Sequence, residues 1–188
     1  MNPMLHEALT DSPVIAAIKD SDGLARCKEC DSKLIFILYG DILTIPDIVD
    51  TVKSYGKYAF IDVDLISGLY PGEVAVDFIK KNTRADGVIS TKSSVIARAK
   101  HLGLSTIMRF FVIDSMAYTS MEKAARELMP DMIEMLPGVM PKIARRIVSF
   151  SKVPVIASGL ITDKEDVVAL LNAGVTAVSS TKEPVWFL

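Results

Sequence analysis

Two carboxylates interrupt an apolar run in KYAFIDVDLISGL, residues 57–69, where Asp62 and Asp64 stand two positions apart. An extended chain turns alternate side chains to opposite faces, so Phe60, Asp62 and Asp64 share one side while Ala59, Ile61, Val63 and Leu65 share the other. A buried, unpaired carboxylate is costly, so such a pair needs hydrogen-bond donors, a ligand or an open rim. Arg109 in IMRFF and Glu134 in MIEML likewise follow apolar residues at period two. One cation and several carboxylates can form a structural ion pair, Arg109 with Glu134 across the barrel that the strand count below predicts, or hold the hydroxyls of a small ligand. Further on, ASGLITDKED carries Ser158 and Gly159, and SSTKEPVW carries Ser179, Ser180 and Thr181. Gly159 lets backbone amides approach an anion closely, and the three hydroxyl residues precede a short terminal helix with Pro184 near its start. Both segments are also ordinary helix caps. An anion held on amides at one end, with hydroxyls held on acids at the other, describes a small phosphorylated polyol.

The elements that position these residues follow from periodicity. Short apolar runs begin near Val14, Leu34, Tyr58, Gly87, Leu104, Asp131, Val153 and Thr176, and each reads as a strand. Between them lie amphipathic segments: PDIVDTVKSYG, GEVAVDFIKKN, SSVIARAKHLG, SMEKAARELM, MPKIARRIVSF and TDKEDVVALLNAG. Thr162 with Glu165 fits a capping box, and Gly56, Gly103 and Gly174 mark helix ends. RADGVIS, MPDMIEM and NAGVTAV recur at near-equal intervals, each closing a helix and opening a strand. Alternation of this kind implies parallel strands joined by right-handed crossovers. Eight repeats predict a closed parallel (β/α)₈ TIM barrel with some short or degenerate helices, residues 1–188 forming a single domain. An open doubly wound sheet is the competitor, but the first βα turn has no G-x-G-x-x-G fingerprint. In a barrel the site lies at the C-terminal ends of the strands. The polar residues there are Lys19 and Asp20, Asp41, Asp62 with Asp64, Ser90 to Lys92, Arg109, Glu134, Ser158 with Gly159, and Ser179 to Thr181.

Composition narrows the class. The chain has 188 residues, 50% of them apolar and 23% charged, enough to bury a sizeable core. No apolar run approaches the roughly 20 residues of a membrane helix, and MNPMLHEALTDSP lacks the pattern of a secretory signal, so a cytoplasmic protein with no membrane partner is expected. A formal charge of −2 gives no global attraction to nucleic acid. Cys27 and Cys30 in ARCKEC have a metal or redox spacing, but His6 and His101 offer no ligand-like pair, and two helix-surface or semi-buried thiols are expected. No metal and no cofactor are expected.

FIDVDLISGL, GVISTKSSVIARAK, IMRFFVID, DMIEMLPGVMPKI, PVIASGLITDKEDV and AVSSTKEPVW, taken in order, resemble the glycerol-3-phosphate-responsive antiterminator family, regulators of bacterial glycerol uptake operons. The resemblance starts at SPVIAAIKD and covers nearly the whole chain. It implies a (β/α)₈ barrel that binds glycerol 3-phosphate and acts on a leader mRNA to prevent premature termination, with no reaction catalysed. By the same resemblance Asp64, Lys92, Arg109, Glu134, Pro137 with Gly138, and Gly159 match the family's ligand site. Asp62 stands where relatives commonly have histidine, and Ser158 where a second glycine is usual. For the RNA, Lys142, Arg145 and Arg146 with Lys152 form one basic segment, and Lys92, Arg98 and Lys100 a second; either is also a solvated helix face. A dimer juxtaposing two such faces would double the charge, so a homo-oligomer fits. The rival class is a phosphate-binding barrel enzyme of isomerase or aldolase type, using Glu134, Asp62 and a Lys92 Schiff base on a phosphorylated polyol or triose. Against it, neither histidine falls near a strand end, and Lys92 lies beyond its strand in solvent, where its amine is a poor nucleophile.

Overall fold

The computed structural model describes residues 3–188, apart from the side chains of residues 3, 4 and 6. Met1, Asn2 and the His6 side chain, read above for a leader and a metal ligand, lie outside the described residues. Eight strands are present: β1 (Val14–Ile18), β2 (Leu34–Ile37), β3 (Tyr58–Asp62), β4 (Gly87–Ser90), β5 (Ser105–Phe111), β6 (Met132–Leu136), β7 (Val155–Ser158) and β8 (Ala177–Ser180). They pair in parallel in sequence order, and β8 returns to β1, closing the expected barrel. Strands such as LIFI in β2 are apolar throughout because a barrel strand is covered on both faces.

The helices are α1 (Pro3–Asp11), α2 (Ser21–Arg26), α3 (Ile45–Ser54), α4 (Glu73–Asn82), α5 (Ser93–His101), α6 (Ser115–Leu128), α7 (Pro141–Phe150) and α8 (Lys164–Asn172), with a closing 3₁₀ turn at Glu183–Phe187. The short elements expected are α2 and the 3₁₀ turn. Aspartates set several helix starts: Asp20, Asp114 and Asp163 accept hydrogen bonds from the backbone N–H groups of Gly23, Ala117 and Asp166. The cap expected at Thr162 therefore sits one residue later. Asp166 closes the box from within, its carboxylate accepting the Thr162 N–H at 2.9 Å. The Asp114 cap starts α6 at Ser115, five residues earlier than SMEKAARELM suggests.

Two layers fill the barrel interior. The lower is apolar: Ile15, Phe36, Phe60, Ile89, Ile107, Met132, Ile156 and Ala177 pack together, and Leu5, Ala8 and Leu9 of α1 close the N-terminal end beneath them. The upper layer comes from the next inward positions on the same strands, among them Asp62, Arg109, Glu134, Ser158 and Ser179. It is polar on β3 and on β5 to β8, with Ala17 and Leu38 as its apolar members, and it faces the C-terminal rim. Cys27 and Cys30, expected at or near the surface, are instead buried. Both thiols donate to backbone carbonyls, and burial pushes the Cys27 thiol up to about 11, leaving it protonated near neutrality.

Candidate functional site

At the base of the rim, one guanidinium serves two carboxylates. Arg109 and Glu134 are partners in register on β5 and β6, and Nε of Arg109 donates to Glu134 Oε2 at 2.7 Å. Nη1 donates to Asp62 Oδ2, the carboxylate reaching in from β3. The ion pair expected across the barrel is instead made between neighbouring strands, because Arg109 and Glu134 are in register, and it is Asp62 that reaches Arg109 from beyond the adjacent strand. All three are buried, with Asp62 at 0% and Glu134 at 1% exposure. Burial pushes the Asp62 carboxyl up to about 6; Arg109 opposes that shift, while Glu134, competing for the same cation, adds to it. Burial works against the charge on Arg109, but the flanking carboxylates outweigh it and hold its pKa above the usual range.

Asp64 does not share this layer. β3 ends at Asp62, so the alternation that aligned the two acids stops there. In the turn beyond, Asp64 accepts hydrogen bonds from Ser90 Oγ at 2.6 Å and from the Thr91 N–H and hydroxyl at 2.7 Å, tying the β3–α4 and β4–α5 loops together. Lys92 also points elsewhere: Nζ donates to the Pro71 carbonyl at 3.2 Å and lies 4.7 Å from the centre of the Tyr70 ring. Asp20 and Asp41 are a helix cap and a loop cap. Neither Asp64 nor Lys92 borders the rim cleft.

That cleft, about 390 Å³, is bordered by Arg109 and Glu134 below and by the β7–α8 and β8 loops beside them, including Ser158, Gly159, Ser179, Ser180 and Thr181. Seven residues expected at the site therefore converge, and Asp62 backs them through Arg109. Ser180 Oγ is engaged, donating to the Ile161 carbonyl at 2.8 Å and accepting the Lys182 N–H at 3.0 Å. Ser158 Oγ differs: it is buried, and no described residue bonds it. A buried hydroxyl without a partner is unfavourable, and this one belongs to a residue bordering the cleft.

Gly138 does not border the cleft but holds its wall. Its N–H donates to the Gly159 carbonyl at 3.1 Å, and a Cβ there would meet Ser158 N and O at 3.1 Å and Ile161 Cδ1 at 3.0 Å. Gly159 itself has φ +82°, where a side chain is strained. Gly138→Ala is expected to push Ser158 toward the cleft, costing about 1–3 kcal/mol of stability. It should weaken ligand binding by more than the stability loss alone predicts. Paired urea melts and calorimetry check this, and wild-type binding by a folded variant would reject it.

Two features escaped sequence reading. The cleft has apolar walls, with Ala17, Phe36, Leu38, Leu65, Leu136, Leu160 and Ile161 contributing; the inward alternation of β1 and β2 was the available signal. The second is Lys182, which borders the cleft where Lys92 does not. The tripeptide Ser-Thr-Lys occurs twice, at 90–92 and 180–182. In both copies the lysine N–H donates to the serine Oγ and the lysine caps the next helix. Only the second copy faces the cleft.

Lys142, Arg145 and Arg146 lie exposed on α7 in the outer helix layer. In the second basic segment, Arg98 is paired with Asp77, and Lys100 donates to the Leu128 and Met129 carbonyls. A wider concavity of about 490 Å³ opens at the opposite, N-terminal face; of its charged residues Asp86 is held by Lys53, Asp131 by Thr106 and Lys100 by those carbonyls, and Lys80 is exposed. Among the described residues no helix is long and apolar enough to cross a membrane.

A parallel (β/α)₈ barrel whose one polar interior layer opens into a cleft at the C-terminal rim has the layout of barrels that take a small polar ligand there. More narrowly, residues 14–186 match the glycerol-3-phosphate responsive antiterminator family, and the chain belongs to that family. It is 44% identical over 186 residues to the uncharacterized protein YgcP of Escherichia coli (strain K12), covering 99% of this chain and 97% of that one. Among solved structures it resembles the glycerol uptake operon antiterminator regulatory protein of Listeria monocytogenes, with TM-score 0.90, 30% identity, and 94% and 95% of the two chains covered. It also resembles a glycerol uptake operon antiterminator-related protein of Thermotoga maritima, with TM-score 0.82, 34% identity, and 92% and 96% covered.

Proposed function

We propose that this chain is a cytoplasmic, ligand-responsive antiterminator in which glycerol 3-phosphate occupies the rim cleft and promotes action on the leader of a glycerol-operon mRNA. One observation carries the reading: the cleft joins an anion-suited wall to a polyol-suited floor. The wall is the backbone of the β7–α8 and β8 loops, with Ser158, Thr181 and Lys182. The floor is Arg109 with Glu134. Because two carboxylates already surround Arg109, a phosphate is better placed against the loops, with the glycerol hydroxyls donating to Glu134. Asp64 and Lys92 shape loops in this reading and do not touch the ligand. An enzyme acting through a Lys92 Schiff base is disfavoured, since that amine is held against Tyr70 and Pro71.

Calorimetry with glycerol 3-phosphate, glycerol and inorganic phosphate tests the reading. Only the phosphorylated ligand is expected to bind tightly, and it should be recovered unchanged. Turnover of the ligand would replace this proposal with the enzyme alternative.

A further inference from the structure

Beside the cleft, on the outer layer, α6 and α7 diverge to leave a groove of about 480 Å³. Val112, Met140 and Ile143 line it with Tyr118, whose ring meets the Arg146 guanidinium at 4.9 Å and the Phe150 ring edge-on at 5.7 Å. Ile113 stands at its lip and is 79% exposed. Hydroxyls of Ser115 and Thr119 edge the groove. Two acids border it as well, but Asp114 caps α6 and Glu122 is paired with Arg126 at 2.6 Å. The other wall is formed by Met140, Ile143 and Arg146; α7 (PKIARRIVSF) contains no acid, and its exposed Lys142 and Arg145, which do not line the groove, have no carboxylate partner among the described residues. An aromatic ring beside a guanidinium, with apolar walls and hydroxyls at the edge, suits a planar base; unpaired cations within one helical turn suit its phosphates.

The groove and the cleft share no lining residue but are linked along the backbone. Arg109 on β5 is three residues before Val112, and Glu134 on β6 is followed by Gly138 and Met140, so both strands that hold the ligand floor run on into the groove walls. We infer that the groove between α6 and α7 receives an unpaired base of single-stranded RNA, with Lys142 and Arg145 on the adjoining phosphates. This rests on the antiterminator reading above and supplies the contact surface that reading lacks. The charge pattern favours RNA over a protein partner, because among the described residues no carboxylate pairs with Lys142 or Arg145, while the two acids of the groove are held by the α6 cap and by Arg126.

The test uses the intact chain saturated with glycerol 3-phosphate and a labelled 5′ leader transcript of a glycerol uptake operon, with a fully paired RNA duplex of equal length as comparator. Tyr118→Leu should weaken transcript binding about tenfold, while Tyr118→Phe should bind as the wild type does, since the stacking ring is kept. The double variant Lys142→Ala, Arg145→Ala should lower the slope of log affinity against log salt by about 1.4. All three variants should bind glycerol 3-phosphate unchanged, which also certifies their fold. If the wild type binds the transcript and Tyr118→Leu and the double variant bind it equally well, the groove is overturned and the function stands. Equal affinity for duplex and transcript overturns the unpaired base. A wild type that binds glycerol 3-phosphate but no RNA overturns the RNA reading and the groove together. Unchanged RNA affinity with lost antitermination in a transcription assay would assign the face to a protein partner.

Discussion

Arg109→Ala is expected to lose glycerol 3-phosphate binding and to cost about 3–5 kcal/mol of folding stability at pH 7. Truncation leaves Asp62 and Glu134, both essentially inaccessible, facing one another without a counter-ion. An uncompensated buried charge is far more costly than a missing attraction, so the loss exceeds that of a surface ion pair. The deficit should shrink as pH is lowered from 7 to 5, because protonating Asp62, whose carboxyl is already raised to about 6 by burial, relieves it. Urea unfolding at both pH values reads the effect. Arg109→Lys keeps a positive charge but not the two-pronged donor geometry, and should recover much of the stability while still binding ligand poorly. If Arg109→Ala unfolds at the wild-type midpoint at pH 7, the triad is not the buried network described here.

Asp62→Asn is expected to stabilise the protein at pH 7. A carboxyl raised in the fold to about 6 from 3.8 favours its protonated form there. Its stabilising contribution is complete below about pH 4 and is lost as pH rises through about 6. The loss amounts to roughly 3 kcal/mol for a shift of that size. Asparagine keeps a carbonyl oxygen for the Arg109 donor and removes the surplus charge, leaving Arg109 and Glu134 as a matched pair. The difference in stability between variant and wild type should therefore grow from pH 4 to pH 7, with the variant ahead at neutrality. A variant less stable than wild type at pH 7, with no trend between these limits, would show that Asp62 is held ionised by Arg109. With aspartate, the cleft floor bears a net negative charge near neutrality, which reinforces the placement of the phosphate on the loops.

The barrel and most of its cleft are legible in the sequence because a strand's side-chain period is short and strict. Arg109 and Glu134 each follow inward-facing apolar residues two positions back, so their direction follows from counting, and β5 and β6 hold that count to the rim. The same counting failed at Asp64. Nothing in FIDVDLIS states that pairing stops after Asp62, since strand ends depend on where the neighbouring strand stops offering partners. The capping error at Thr162 has a similar origin: Thr162 and Asp163 are both competent caps, and a one-residue choice turns on the geometry of the incoming loop. Cys27 and Cys30 lie in a polar stretch, yet packing of the helix layer buries them, a property of neighbours distant in sequence.

What the chain determined by itself was the alternation of eight strands with helices, the closure they imply, and the inward direction of Asp62, Arg109 and Glu134; each follows from local periodicity and chirality. The tertiary structure alone decided which of two identical Ser-Thr-Lys segments faces the cleft. It also set how one guanidinium is divided between two carboxylates, and left the Ser158 hydroxyl without a partner among the described residues. Those outcomes depend on residues brought together from different strands, where burial and competition for one cation set the energies and no local pattern carries the information.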